Sequence, residues 1–162
     1  FLFIAKDSDS RNKRQIMSYG FDAIYNDNVM NIHHKLSIYK KLILAINRNF
    51  FSKPTVFNYK YAKDFFLSED SSDENVVPLV APNWDHSPRS NSKAFILIDS
   101  KPKYFYEVFK KAYKIVCKKN TQPLIVIKSW NEWGEGNYLE PDQKYGRKYL
   151  EVVKQVVEEN CN

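Results

Sequence analysis

Little in this chain of 162 residues lends itself to cross-linking or to metal capture. There are two cysteines, Cys117 and Cys161, far apart and in neither a metal-binding nor a redox spacing. They supply no disulfide framework, which suits a reducing compartment and leads us to expect a cytoplasmic location. The three histidines, His33, His34 and His86, lack zinc-site spacing. His33 and His34 precede Lys35 and read as an exposed helix start. Long apolar runs are missing as well: none approaches the roughly 18 residues that a membrane-spanning helix requires. The opening run Phe1-Leu2-Phe3-Ile4-Ala5 is too short for a signal-peptide core, and no basic leader or initiator Met precedes it. It reads as a strand entered midway, with the upstream part of the domain missing. Glycine is scarce, with four in the chain, and two of them, Gly134 and Gly136, fall in one heptapeptide.

Charge of a single sign is also absent. There are 25 basic and 19 acidic residues, for a net charge of +6, and the basic excess sits mainly between Lys35 and Lys63. A solvated basic face is the simplest reading. An anionic partner is the other: a nucleotide-sugar diphosphate, a membrane surface touched peripherally, or nucleic acid. The charge is diffuse and no nucleic-acid-binding module is recognisable, so we expect no nucleic-acid partner.

Five apolar runs read as short buried strands: Phe1 to Ala5, Phe21 to Tyr25, Thr55 to Tyr59, Val76 to Ala81 and Leu124 to Ile127. Apolar runs without alternation suit parallel strands covered on both faces. Three helical stripes lie among them. Leu36, Tyr39, Leu42, Ile43 and Ile46 form the first, and Phe105, Val108, Phe109, Ala112 and Val116 the second, behind Pro102. Tyr149, Val152, Val153, Val156 and Val157 form the third, in a helix expected to start at Pro141 with Asp142 near its positive end. All three are expected to face the core. Ser68 to Asn75 and Asn83 to Ser92 read as loops. Alternating strands and helices predict an α/β domain with a parallel sheet.

The densest chemistry is Trp130-Asn131-Glu132-Trp133-Gly134-Glu135-Gly136, directly after the run Leu124-Ile125-Val126-Ile127. Two carboxylates three residues apart can serve as acid and base, or acid and nucleophile, at a glycosidic bond. Indoles beside them suit the apolar faces of sugar rings. Burial is expected to raise a carboxyl pKa there, and proximity to split the two titrations. Both glycines are expected to supply backbone angles that other residues resist. The structural alternative is an acidic loop that caps the next helix.

A second loop, Asn83-Trp84-Asp85-His86-Ser87-Pro88-Arg89, follows another strand. Trp84 could stack on a ring, Asp85 could accept from hydroxyls, and Arg89 could fork onto a carboxylate or phosphate. Alternatively, Asp85 and Arg89 pair with each other. Asp27 follows a third strand. In parallel α/β folds such loops converge at the carboxyl ends of the strands. Asp7-Ser8-Asp9 is a short pattern that could hold a divalent metal on a diphosphate, and equally an ordinary polar loop.

These residues resemble those of a known family. The stretch from Trp130 through Glu140-Pro141-Asp142, with Tyr145-Gly146 and Tyr149-Leu150-Glu151 beyond, closely resembles the C-terminal signature of the WbsX family. These are glycosyltransferase-annotated proteins of bacterial surface-polysaccharide loci, related to the glycoside hydrolase family 99 endo-mannosidases. Gly20-Phe21-Asp22-Ala23 and Trp84-Asp85-His86-Ser87-Pro88-Arg89 match further family segments in order, with His86 and Ser87 in place of the more usual Asn and Thr. The resemblance covers nearly the whole chain.

It implies a TIM (β/α)₈ barrel, of which this chain would be the C-terminal part, because a whole barrel takes about 250 residues. Residues 1–162 would then belong to a single catalytic domain. It implies Glu132 as base or activator of a substrate 2-hydroxyl, and Glu135 as acid/base. Trp130, Trp133 and Trp84 would contact rings, and Asn131, Asp85, Arg89 and Glu140 would complete the substrate site. The substrate would be a carbohydrate, either an oligosaccharide or a sugar nucleotide with a glycan acceptor. No metal or other cofactor is required by this chemistry. Gly134 stands where the hydrolases carry His, which favours the WbsX branch. An endo-acting hydrolase and a non-catalytic glycan-binding remnant are the alternatives.

Overall fold

The computed structural model describes residues 1–7, 12–121 and 123–159. Four parallel strands carry the architecture. They are β1 (Ile4–Lys6), β2 (Ala23–Tyr25), β4 (Leu79–Val80) and β7 (Val126–Ile127). β1 pairs with β2 and β4 with β7, both in parallel register. A parallel bridge between Ile24 and Val76 joins the two pairs, through Ile24 N–H to the Asn75 carbonyl at 2.8 Å and Val77 N–H to the Ile24 carbonyl at 2.7 Å. The spatial order is therefore β1-β2-β4-β7, the order along the chain. All four carboxyl ends share one edge.

A separate small sheet has the order β3-β6-β5. β3 (Thr55–Asn58) runs parallel to β6 (Phe95–Ile98), and β5 (Trp84–Asp85) runs antiparallel to β6. The fifth expected strand thus lies outside the main sheet. The run Phe95-Ile96-Leu97-Ile98 forms a strand where the sequence reading placed none; it has only four residues and sits between polar stretches. Exposure also departs from expectation. Phe1, Leu2 and Phe3 are exposed, β3 alternates and β7 is half-buried.

The remaining helices are α1 (Lys13–Ser18), α2 (Ile38–Phe51), α3 (Tyr59–Ala62), α4 (Ser87–Ser90), α5 (Pro102–Val116) and α6 (Lys148–Glu159). α5 starts on Pro102, whose fixed φ suits a first helical turn. It buries Phe105, Val108, Phe109, Ala112 and Val116, the whole expected stripe. α6 buries Tyr149, Val152 and Val156, while Val157 faces out. Phe105 meets Tyr149 edge-on at 5.8 Å. Each such ring contributes about 1.5–3 kcal/mol by leaving water.

Three expectations need correction. α6 begins at Lys148 and not at Pro141. Before it, Asp142 Oδ1 accepts from the Lys144 and Tyr145 amides, and Asp142 bridges Gly146, so a side-chain turn competes with helix. The α2 stripe does not face the core: Tyr39, Leu42, Ile43 and Ile46 are exposed, and α2 has no buried residue. Periodicity marks a surface fit for burial and does not supply the neighbour. His33 and His34 end a 3₁₀ segment, Asn28–Lys35, and do not start a helix.

The serine-rich loop is structured. A 3₁₀ turn at Glu69–Ser72 carries a reciprocal Ser68/Ser71 capping box, and Glu74 accepts from the Asn120 and Thr121 amides. Among the described residues no helix is long and apolar enough to cross a membrane.

Candidate active site

The carboxyl edge of the main sheet gathers polar residues out of a buried core. Asp7 follows β1 and Asn26 follows β2, and both are buried; Lys6 pairs with Asp27 at 2.5 Å across the two strands. Asn83 follows β4, and Lys128 follows β7. Ser8 and Asp9 of the Asp7-Ser8-Asp9 pattern lie outside the described residues. No group of three or more potential metal ligands occurs among the described residues.

After Lys128 the chain turns back on itself. β8 (Asn131–Glu132) and β9 (Asn137–Tyr138) form a two-stranded antiparallel ladder around a 3₁₀ turn, Trp133–Glu135. The Ser129 hydroxyl accepts from Glu132 N–H at 3.0 Å and donates to the Asn137 carbonyl at 2.9 Å. Gly136 closes the turn at φ 57°, in the left-handed region. A Cβ there would come within 2.8 Å of the Asp85 amide nitrogen. Gly134 is different. Its φ lies outside that region, so the expectation of special backbone freedom holds for Gly136 and fails for Gly134.

A buried pair fixes this hairpin to the β5 loop. Asn137, fully buried, donates from Nδ2 to the Asn83 carbonyl at 2.9 Å, and Asn83 Oδ1 accepts from Tyr138 N–H at 2.8 Å. Burial without such partners would cost about 1–3 kcal/mol per group.

The two loops meet in a charge cluster. Arg89 donates from Nη2 to Glu132 Oε1 at 3.0 Å and from Nη1 to Glu135 Oε1 at 3.1 Å. Lys128 Nζ lies 2.9 Å from Glu135 Oε2, and His86 Nε2 lies 3.8 Å from Glu135 Oε1. The structure therefore brings Glu132, Glu135 and Arg89 together. Asp85 does not pair with Arg89; its Oδ1 accepts from Ser87 N–H at 2.9 Å and opens α4.

Burial pushes the Glu135 carboxyl up, but the Lys128 ammonium, His86 and Arg89 outweigh it, and the net shift is downward. The expectation that burial raises this carboxyl is overturned by the cations around it.

The aromatic residues divide. Trp130 and Trp133 are 55% and 49% exposed, and Trp133 stacks on Tyr138 with ring centroids 4.2 Å apart. Trp133 Nε1 donates to Glu140 Oε2 at 3.1 Å, so Glu140 holds the indole. Asn131 is exposed beside them. Trp84 is only 3% exposed; it meets Phe95 edge-on and carries Lys128 Nζ 4.4 Å above its ring. It packs into the core beneath Lys128 and borders the cleft beside the hairpin. A cleft of ≈ 420 Å³ beside the hairpin is lined by Trp133, Tyr138, Asp85, Asp99, Lys144 and Tyr145, among others.

Sequence reasoning passed over Lys128, Ser129, Asn83 and Asn137. Lys128 had a signal: it is the first polar residue after an apolar strand that ends in the motif. The asparagines had none, because their burial depends on two loops meeting.

Strands, helices and a polar carboxyl edge make this an α/β protein with its candidate site on loops after parallel strands. The chain belongs to the WbsX glycosyltransferase family, whose model matches residues 1–153. It is 29% identical over 87 residues to the uncharacterized protein WxcX of Xanthomonas campestris pv. campestris, in two strains. That match covers 52% of this chain and 12% of WxcX, so the chain spans a small part of that relative. Among solved structures it is similar to a glycoside hydrolase-like protein at 16% identity, with a TM-score of 0.49, over 84% of this chain and 37% of that one.

Proposed function

We propose that this chain is the C-terminal part of a (β/α)₈ carbohydrate-active enzyme, residues 1–162 forming part of one catalytic domain. It acts in assembly of a bacterial surface polysaccharide, on the cytoplasmic side. Four parallel strands in chain order, with polar loops at one edge, support the barrel. Family membership supports the carbohydrate. Glu132 and Glu135 stand at the anomeric centre, with Trp130 and Trp133 as ring contacts and Asn131, Asp85 and Arg89 around the hydroxyls or an anionic group.

The ionic surroundings of Glu135 favour transfer over hydrolysis, and they carry this reading. Lys128, Arg89 and His86 around Glu135 favour its carboxylate form, which can accept the proton of an acceptor hydroxyl. A phosphate leaving group needs no proton. In such a step the bond from C1 to the phosphate oxygen breaks, and its electron pair leaves with the phosphate. The acceptor oxygen bonds to C1, and its proton passes to a carboxylate of the pair. In this scheme Lys128 supplies positive charge for the departing phosphate, while Arg89 holds the two carboxylates.

The test uses the whole protein that contains this chain. It is incubated with mannose-containing oligosaccharides, and separately with sugar nucleotides plus an acceptor lipid, with mass spectrometry as readout. Elongation of the acceptor is expected. Cleaved oligosaccharide without elongation overturns the transfer reading, and glycan binding with no turnover overturns the enzyme.

A further inference from the structure

Gly134 has no backbone reason to be glycine. Its φ lies outside the left-handed region, in contrast to Gly20, Gly136 and Gly146. The reason lies in its surroundings. A Cβ at 134 would stand 2.9 Å from Arg89 Nε, 3.3 Å from Arg89 Nη2 and 3.2 Å from Glu132 Oε1. Real Cβ atoms essentially never come within 3.0 Å of another group, so the guanidinium or the carboxylate would have to move. The space a side chain would take is occupied by the base of the Arg89 fork.

We propose that Gly134 and Arg89 are a matched pair: the glycine admits the guanidinium between the two glutamates, and the guanidinium positions both carboxylates. Arg89 is a positioning residue in this scheme, and Gly134 decides whether it can act. In giving the pair a catalytic purpose, the inference rests on the function proposed above.

The contributions to the two glutamates differ. Among the described residues Arg89 is the one cation paired with Glu132. Glu135 also has Lys128 from the end of β7 and His86 from the β5 loop, and it exerts a weaker field on Lys6 at the end of β1, which is held by Asp27. Losing the fork therefore releases the Glu132 side chain, while Glu135 keeps a partner. The Arg89 side chain is 52% exposed, so the fork contributes little to stability. Its contribution is geometric: a planar, two-pronged donor holds two acceptors at a fixed separation, which a lysine ammonium does not.

A double-mutant cycle tests the pairing. Gly134→Ala, Arg89→Gln and the double variant are made in the same chain, labelled with ¹³C at the glutamate carboxyls. Arg89→Gln is expected to move the Glu132 carboxyl signal and to raise the Glu135 midpoint. Gly134→Ala alone is expected to shift both in the same direction by a smaller amount, and to add nothing once Arg89 is gone. Arg89→Lys is expected to restore the Glu135 midpoint but not the Glu132 signal. Equal effects of Gly134→Ala with and without Arg89 overturn the pairing, and so do unchanged spectra in Arg89→Gln. Arg89 is exposed, so its replacement leaves the fold intact for measurement. The spectra need no substrate. Their failure leaves the proposed reaction standing, whereas intact pairing in a protein that turns over no carbohydrate overturns the catalytic purpose alone.

Discussion

Lys128 Nζ sits 2.9 Å from Glu135 Oε2, and this contact ties the end of β7 to the turn that the same chain forms seven residues on. It is the closest cation contact to Glu135, nearer than Arg89 at 3.1 Å or His86 at 3.8 Å. A neutral side chain at 128 therefore changes the charge balance of the site most.

Lys128→Met is expected to raise the Glu135 pKa toward or past its ordinary 4.5. The folded value is depressed, so in the native protein this group contributes stability that is present above its unfolded pKa. That contribution is lost as pH falls through the lower folded value. In Lys128→Met this contribution should shrink or vanish, so the fall in stability with acid that Glu135 causes should flatten. Chemical denaturation at a series of pH values between about 3 and 6, with ¹³C titration of Glu135, measures it; coincident curves for the two proteins would contradict it.

Glu132→Gln and Glu135→Gln keep shape and remove charge. Each is expected to lower turnover about 10²–10⁴-fold, the range for a positioned proton-transfer group. The readout is the initial rate of acceptor elongation by the whole protein. Rates within a factor of a few of the parent in both variants would remove these glutamates from the chemistry.

Two tryptophans of similar sequence context should behave oppositely. Trp84→Ala opens a cavity under Lys128 in a residue that is 3% exposed, and is expected to cost about 3–5 kcal/mol. Trp130 is 55% exposed, so Trp130→Ala should stay within about 0.5 kcal/mol of the parent in stability. It should weaken glycan binding instead, by about tenfold or 1.4 kcal/mol. Denaturant unfolding and calorimetric glycan titration separate the two effects.

Gly136→Ala combines a left-handed φ with a Cβ 2.8 Å from the Asp85 nitrogen. It is expected to destabilise by about 1–3 kcal/mol or more, by unfolding midpoint. The loss should be larger than that of Gly134→Ala, where only a half-exposed side chain needs to move.

The comparison of Gly134 and Gly136 shows what sequence can and cannot carry here. Both are glycines beside glutamates, and nothing local tells a backbone requirement from room for a distant arginine. The strands around Ile24, Val80 and Ile127 were legible as apolar runs, while their order was not, since it depends on which runs pair. The α5 stripe was legible because 3.6-residue periodicity and Pro102 agree. The α2 stripe has the same periodicity and stays exposed, because a pattern names a face and not its neighbour. At the site, Glu132, Glu135 and Arg89 could be read from their chemistry. That Glu135 is lowered and not raised depended on Lys128, His86 and Arg89 converging from separate elements. Trp84 reads as a sugar platform by type and is a core residue by position, and only packing separates those roles.

The asparagine pair described above has a kinetic consequence. Asn137 and Asn83 each hold a backbone group of the other's loop, so the hairpin with the glutamates cannot detach while the β5 loop stays in place. The two segments share one opening event. The Tyr138 amide proton, held across the two segments by Asn83 Oδ1, should then exchange with solvent at a rate set by that single opening.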